Sequence, residues 1–189
     1  MITIVYSHPY DGSFNHAVLE TLTSRLEKEN KEYTVLNLYA DGFNPAVEAA
    51  SLKVYSQGKT ADALAQKYLD TLVKTDCLIF VFPVWWGMMP AMVAGFLDKV
   101  LLVDTAYKYD TDGHLVPDKI NISRTIMFTT SQDHTSYFAP FFSDYLPEHV
   151  YRAVGFDNPE WYNCAQTAHG PEENRTEFLR LVDKIAREL

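Results

Sequence analysis

The stretch CLIFVFPVWWGMMPA, residues 77–91, decides the fold class. Its first six residues are all apolar, which is typical of a β-strand that helices cover on both faces. The loop that follows, from Pro83 to Pro90, carries two tryptophans and two methionines, although surface loops are usually polar. This composition predicts that the loop packs against a core, a second subunit or a flat apolar ligand.

Strand and helix patterns alternate around this stretch along the whole chain. Short apolar or β-branched runs predict strands, and apolar residues spaced three and four apart predict amphipathic helices. The predicted strands are residues 3–7, 33–39, 77–82, 124–130 and 160–166, and the predicted helices are residues 13–29, 61–75, 90–102, 136–146 and 171–189. Five alternations predict an α/β protein with a doubly wound parallel sheet and helices on both faces.

The longer helix patterns each have one apolar face that is expected to pack on the sheet. Ser13 is the expected N-cap of the first helix, and Pro90 is expected in the first turn of the third. The residues expected to face inward are Val18, Leu19, Leu22 and Leu26 in the first helix, Leu64, Leu69, Leu72 and Val73 in the second, and Phe178, Leu181, Val182 and Ile185 in the last.

Composition and charge limit the partners and the compartment that can be expected for this protein. The net charge of −9 argues against nucleic acid and anionic membranes as partners, because both require clustered Lys and Arg. We find no signal-peptide pattern and no segment as long as a membrane span. Cys77 and Cys164 lie far apart, and a buried inert thiol is expected at Cys77. We therefore expect a single domain, residues 1–189, that acts in the cytoplasm without membrane insertion.

Three strand-to-helix loops, residues 7–15, 83–90 and 129–137, are the candidate ligand sites, because ligands of such sheets bind outside the carboxyl ends of the strands. The first loop, SHPYDGSFN, leads into a helix N-terminus, which favours phosphate groups. Its polar side chains Ser7 and Asn15 add partners, although an ordinary capped turn explains them equally well. The dinucleotide pattern G-x-G-x-x-G is absent.

The second and third loops also have two readings. The aromatic second loop is either core or subunit interface, or it lies along a flat ring. The third loop, TTSQDHTSY, offers hydroxyls, an amide, His134 and Tyr137, and is otherwise a solvated turn. Residues 106–119 predict a protruding hairpin in which Tyr107 and Tyr109 share one face.

Other chemistry is disfavoured by the motifs that the chain lacks. The six histidines show no metal-ligand spacing, so no metal site is expected. No G-x-S-x-G motif is present, which argues against an α/β-hydrolase.

Five stretches together resemble the flavodoxin-like NAD(P)H:quinone oxidoreductases, the family of DT-diaphorase and the bacterial modulators of drug activity. They are H-x(4)-SFN at 8–15, FNP at 43–45, FPVWWGMMPA at 82–91, AYKY at 106–109 and TTSQDHTSY at 129–137. The resemblance covers nearly the whole chain. It implies a flavodoxin-like sheet of five parallel strands in the order 2-1-3-4-5.

The resemblance also implies an activity. The expected enzyme holds FAD, preferred over FMN, takes a hydride from NADPH or NADH through flavin N5, and reduces a quinone by a ping-pong mechanism as a homodimer. The alternatives are an azo- or nitro-compound reductase, a regulatory subunit of a potassium-efflux system, and a one-electron carrier.

Site residues follow from the same resemblance. The flavin-binding residues it implies are His8, Ser13, Phe14, Asn15, Pro83, Val84, Trp85, Trp86, Gly87, Thr129, Thr130, Ser131, Gln132 and Tyr137. Tyr137 and Thr130 are the expected catalytic residues, and Tyr107 and Tyr109 are expected to line the substrate site of the partner subunit. The chain departs from the family at Ser131-Gln132, where relatives often have Gly-Gly, and at Ser143, where DT-diaphorase has a histidine.

Overall fold

A five-stranded parallel sheet forms the centre of the computed structural model, which describes residues 1–189. The strands are β1 (Ile2–Tyr6), β2 (Tyr33–Asn37), β3 (Cys77–Pro83), β6 (Arg124–Thr130) and β7 (Pro159–Cys164), and a separate antiparallel hairpin joins β4 (Tyr107–Tyr109) to β5 (Leu115–Pro117). The sheet order is β2-β1-β3-β6-β7, and every neighbouring pair is parallel. Because β6 and β7 are the fourth and fifth strands of this sheet, the predicted order 2-1-3-4-5 is confirmed.

Six α-helices surround the sheet. They are α1 (Phe14–Lys28), α2 (Ala49–Tyr55), α3 (Ala63–Leu72), α4 (Ala91–Val100), α5 (Thr135–Ala139) and α6 (Glu172–Arg187). The sequence patterns did not predict α2, because seven residues are too few to show a helical period. No helix is both long and apolar enough to cross a membrane.

Each face of the sheet is covered by its own core. Alternate side chains of a strand point to opposite faces, so Ile79 and Val81 join the 17-residue core under α1 and α6. Phe80 and Phe82 join the 26-residue core on the other face, together with residues of α3, α4 and 142–156. Burial on both faces explains why β3 is apolar throughout.

Two sequence predictions need correction on this second face. Val73 was expected to face inward but is 40% exposed, since α3 ends at Leu72 and its buried face includes Tyr68 instead. The helix expected over residues 136–146 is α-helical only to Ala139 and continues to Tyr151 as a wide-turned helix, that is, a π-helix. Prolines 140 and 147 lack an N–H and clash with the carbonyl four residues back, so the regular α-helical ladder cannot continue.

The strand register determines where the three candidate loops begin. Tyr6 lies opposite Val81 in the sheet, and Pro83 lies opposite Thr130. The carboxyl ends of β1, β3 and β6 are therefore adjacent, and the loops that leave them form one continuous edge. This edge includes the point where the strand order reverses between β1 and β3.

Candidate functional site

The loop after β1 presents donors that have no partner in the chain. Ser13 is the N-cap of α1, and its Oγ accepts the N–H of His16 at 3.1 Å. The backbone N–H groups of Phe14 and Asn15 make no hydrogen bond. The Phe14 ring packs against Phe178 of α6, 6.3 Å between centroids, so its backbone rather than its side chain faces the loop. Free N–H groups at the start of a 15-residue helix form a site for an anion.

Two side chains of the same loop carry buried polar atoms without a partner. Asn15 is 3% exposed and donates from Nδ2 to Thr130 Oγ1 at 2.9 Å, while its Oδ1 makes no hydrogen bond. The buried Ser7 Oγ is also without a partner. An unsatisfied buried polar atom is costly, so both atoms indicate a ligand with polar groups of its own.

His8 belongs to the first loop, lies against the second, and is uncharged at neutral pH. Its Nδ1 accepts the N–H of Tyr10 at 3.1 Å, and its ring meets the edge of Trp85 at 6.1 Å between centroids. Burial lowers the pKa of His8 below its ordinary value of 6.5. The proton of the neutral ring therefore sits on Nε2, where it can be donated to a ligand.

The loop after β3 is a tight turn that exposes its aromatic residues. Trp85 and Met88 exchange both backbone hydrogen bonds, at 3.0 and 3.1 Å. The residues between them, Trp86 and Gly87, have positive φ angles of 54° and 76°. This geometry suits Gly87 but strains Trp86, whose side chain is fully exposed. A strained and fully exposed tryptophan is typical of a surface that contacts a ligand or a second molecule.

The rest of this loop is tied to its neighbour. Pro83 is the last residue of β3 and is buried, and Val84 is half-buried against the core. The Val84 N–H donates to the carbonyl of Thr130 at 2.7 Å. The second loop is thereby joined to the third, as Asn15 joins the first loop to the third.

The third loop begins with three buried residues. Thr129, Thr130 and Ser131 are 0%, 6% and 5% exposed. The two threonines end β6 and point to opposite faces of the sheet: Thr130 meets Asn15 of α1, and Thr129 meets Trp161 and Asn163 of β7. Since Thr130 Oγ1 accepts from Asn15, its own proton is available to a ligand.

Beyond Ser131 the loop becomes exposed. Gln132 Oε1 accepts the N–H of Ala168 at 3.3 Å, which ties the side chain to the segment that follows β7. Tyr137 is 70% exposed, and its ring stands edge-on to His134 with 6.0 Å between centroids. Ser143, in the wide-turned helix that follows, is exposed as well.

The hairpin tyrosines differ in environment. Tyr109 is 61% exposed, and its ring is 6.0 Å from that of Tyr107. Tyr107 is half-buried, and its hydroxyl is 3.0 Å from that of Tyr55 in the same chain. Burial and this hydrogen bond raise the Tyr107 pKa, so its hydroxyl stays protonated. Tyr109 is therefore the freer of the two to meet a second molecule.

Trp161 and Asn163 are contacts of the third loop that sequence analysis missed. The sequence signal was weak, since it consisted of one polar residue near the carboxyl end of an edge strand.

At the hairpin tip, Asp110, Asp112 and His114 have side-chain atoms within 4.8 Å of one another. The Asp110 carboxylate accepts the N–H groups of the other two, and these turn contacts account for the cluster.

The fold and the loop geometry define the class of this protein. The sequence profile of the flavodoxin-like fold family matches residues 1–189, and the chain belongs to that family. The structure of Smu.1420 from Streptococcus mutans UA159 superposes with a TM-score of 0.84 at 30% identity, covering 100% of this chain and 99% of that one.

Curated relatives are oxidoreductases by name. The chain is 29% identical over 117 residues to an uncharacterized NAD(P)H oxidoreductase, YcaK, of Escherichia coli K12, covering 61% of this chain and 58% of the relative. It is 30% identical over 126 residues to NAD(P)H dehydrogenase (quinone) 1 of Rattus norvegicus, covering 57% of this chain and 45% of the relative. The chain thus spans about half the length of the curated relatives it matches.

The residues at the sheet edge fit a flavin nucleotide. Its phosphate oxygens need donors, which the free N–H groups of Phe14 and Asn15 supply. Its hydroxyls can donate to the unpartnered Asn15 Oδ1 and to Ser7 Oγ. Its flat ring needs apolar surface, which Trp85 and Trp86 expose beside the same loops. All three requirements are met within one edge.

Proposed function

We propose that this protein is a flavin-dependent NAD(P)H:quinone oxidoreductase. One observation carries the proposal: buried, unsatisfied polar atoms of Ser7 and Asn15 lie at the same sheet edge as an exposed, strained tryptophan turn. When bound, the flavin would accept a hydride from NAD(P)H at N5 and pass it to a quinone in a second half-reaction. The names of the curated relatives support this activity.

In this proposal the chain binds and orients the cofactor. The N-terminus of α1 and the Ser13 hydroxyl hold phosphate, and the neutral His8 adds one Nε2 donor. The turn at Trp85–Gly87 packs along the ring, while Pro83 and Val84 keep that turn against the core.

The third loop faces the polar edge of the ring. The backbone N–H of Gln132 and the hydroxyls of Thr130 and Tyr137 would donate there, stabilising negative charge. The N–H of Ser131 already donates to the carbonyl of Cys164, so Ser131 shapes the loop. Tyr137→Phe should slow the reductive half-reaction and leave the cofactor bound, as stopped-flow absorbance at the flavin band would show. Loss of flavin in this variant would make Tyr137 a binding residue instead.

We propose FAD rather than FMN, and a homodimer. The Ser13-Phe14-Asn15 loop resembles those of FAD-binding relatives. Trp86 and Tyr109 are exposed aromatic residues, and a second copy would cover them, with Tyr107 and Tyr109 meeting the partner's acceptor. Sedimentation velocity should give twice the 21.6 kDa chain mass, and a monomer would contradict the shared site.

We also propose that residues 1–189 form a single domain and act in the cytoplasm. The family profile that spans all of these residues supports the first statement. Both cysteines are free and buried, which suits a reducing compartment and supports the second.

The decisive experiment is the visible spectrum of the purified protein, followed by chromatography of the flavin released by heat. Flavin bands and released FAD would support the cofactor proposal, and released FMN would correct it. Steady-state rates with NADH and NADPH, each against a quinone, an azo dye and a nitroaromatic, then identify the donor and the acceptor. A protein that takes up neither flavin would refute the proposal, and a stoichiometric membrane partner on pull-down would favour a regulatory subunit.

A further inference from the structure

A chain of hydrogen bonds runs from β7 into the third loop. Trp161 Nε1 donates to Thr129 Oγ1 at 2.8 Å, and Thr129 Oγ1 donates to Asn163 Oδ1 at 2.9 Å. Asn163 Nδ2 then donates to Ser131 Oγ at 2.8 Å and to Thr135 Oγ1 at 3.0 Å. Ser131 Oγ donates in turn to the carbonyl of Asp133 at 2.8 Å. Asn163 is the branch point of this network.

The direction of the whole chain is set by Trp161. An indole N–H can only donate, so Thr129 must accept from it and give its own proton to Asn163 Oδ1. The amide nitrogen of Asn163 consequently faces the loop. Ser131 accepts from that nitrogen, and its single proton is left for the Asp133 carbonyl. Each bond therefore depends on the polarity of the one before it.

The start of the network is anchored by packing. The Trp161 ring stacks on Phe142 with 5.2 Å between centroids and an interplanar angle of 21°, and Phe142 is fully buried. The Ser131 N–H also donates to the carbonyl of Cys164 at 2.9 Å, which binds the loop to the end of β7. Asn163 connects this anchor to the exposed part of the loop, because it bonds to Thr135 directly and to Asp133 through Ser131.

We propose that Asn163 is a positioning residue for the third loop and thereby sets how tightly the site holds reduced flavin relative to oxidised flavin. The statement rests on the proposed function, in which donors of this loop face the edge of the ring where negative charge collects. A loop held by Asn163 keeps those donors oriented before the charge arrives, which favours the charged form of the ligand.

The test compares two asparagines at opposite ends of the same strand. Asn163→Leu and Asn163→Ala both remove the branch point, because neither side chain can donate or accept a hydrogen bond. Asn158→Ala is the matched control, because Asn158 donates to the carbonyl of Ser123 at the opposite end of the sheet. Hydrogen–deuterium exchange of the flavin-free protein measures how well ordered the loop is. The difference between the reduction potentials of free and bound flavin gives the ratio of the dissociation constants of reduced and oxidised flavin.

We expect faster exchange over residues 131–137 in both Asn163 variants and a preference for reduced flavin weakened about ten-fold, as for the loss of a hydrogen bond to a charged group. Asn158→Ala should change neither the exchange of this loop nor the preference for reduced flavin. Unchanged exchange would overturn the proposal, and so would faster exchange with an unchanged ratio, which would leave Asn163 only a structural role. Were the native protein to take up no flavin, the proposed function would fail and the affinity part of this inference with it, while exchange would still decide whether Asn163 orders the loop.

Discussion

Replacing Asn15 by leucine should separate ligand binding from stability. Asn15 is buried, with Nδ2 bonded to Thr130 and Oδ1 unsatisfied. The substitution removes the unsatisfied acceptor Oδ1 but leaves Thr130 Oγ1 without its partner. Each buried, unsatisfied polar atom costs about 1–3 kcal/mol, so the two effects largely offset each other. Leucine keeps the number and branching of the side-chain heavy atoms, although its methyl groups are bulkier than the amide. The stability of the flavin-free protein should therefore change by less than about 2 kcal/mol.

Flavin affinity, in contrast, should fall. The ligand loses the acceptor at Oδ1, and Thr130 loses the contact that orients its hydroxyl. Losing about 1–2 kcal/mol of binding free energy raises the dissociation constant roughly 5- to 30-fold. Urea unfolding of the flavin-free protein measures the first effect, and quenching of flavin fluorescence in a titration measures the second.

Asn37→Leu is the matched control. Asn37 also ends a strand of the sheet, but its Oδ1 accepts the N–H of Ala40 at 3.1 Å, so its acceptor is satisfied. This variant should lose about 1 kcal/mol of stability and keep its flavin affinity. A role of Asn15 in flavin binding is refuted if Asn15→Leu unfolds more easily by about 2 kcal/mol or more while it binds flavin as tightly as the native chain.

Three further predictions concern other parts of the molecule. Lys99→Met should destabilise the protein by about 3–5 kcal/mol in urea, because Lys99 is buried and paired with Asp62 at 2.5 Å; a loss below 1 kcal/mol would contradict a buried ion pair there. Trp86→Gly should relieve positive-φ strain and leave stability unchanged or about 1 kcal/mol higher, yet weaken flavin binding; unchanged binding would remove this turn from the site. Since burial lowers the pKa of His8, the unfolded chain binds a proton first as pH falls below 6.5, and stability falls with it. His8→Gln should flatten that part of a stability–pH curve, and an equally steep curve would exclude His8 as a cause.

Most of the fold was predictable because its signals are local. The apolar run of β3 predicts burial on both faces, and the cores on the two sides confirm it. Ser13 was recognised as a helix cap from its position alone, and it accepts the N–H of His16 as expected. The exposed Val73 and the wide-turned helix after Pro140 were missed, because helix ends and tertiary packing override the periodic pattern there.

The site was predictable only in part. The three loops follow from strand ends, so residues such as Asn15 and Trp86 could be proposed from sequence. Trp161 and Asn163 could not, since they lie about 30 residues after the loop that they hold. A hydrogen bond between distant residues leaves no periodic signal in the chain.

The sequence by itself determined the alternation of strands and helices, and with it the class of the fold. It also determined the chemistry available at the strand ends, because side-chain types and capping positions are properties of short segments. Tertiary structure alone decided which of these polar groups have a hydrogen-bond partner. Thr129 is turned toward β7 and Thr130 toward α1, because neighbouring residues of a strand point to opposite faces. Parallel pairing of β1 with β3 and of β3 with β6 places the three loops side by side, and burial there leaves Asn15 Oδ1 without a partner.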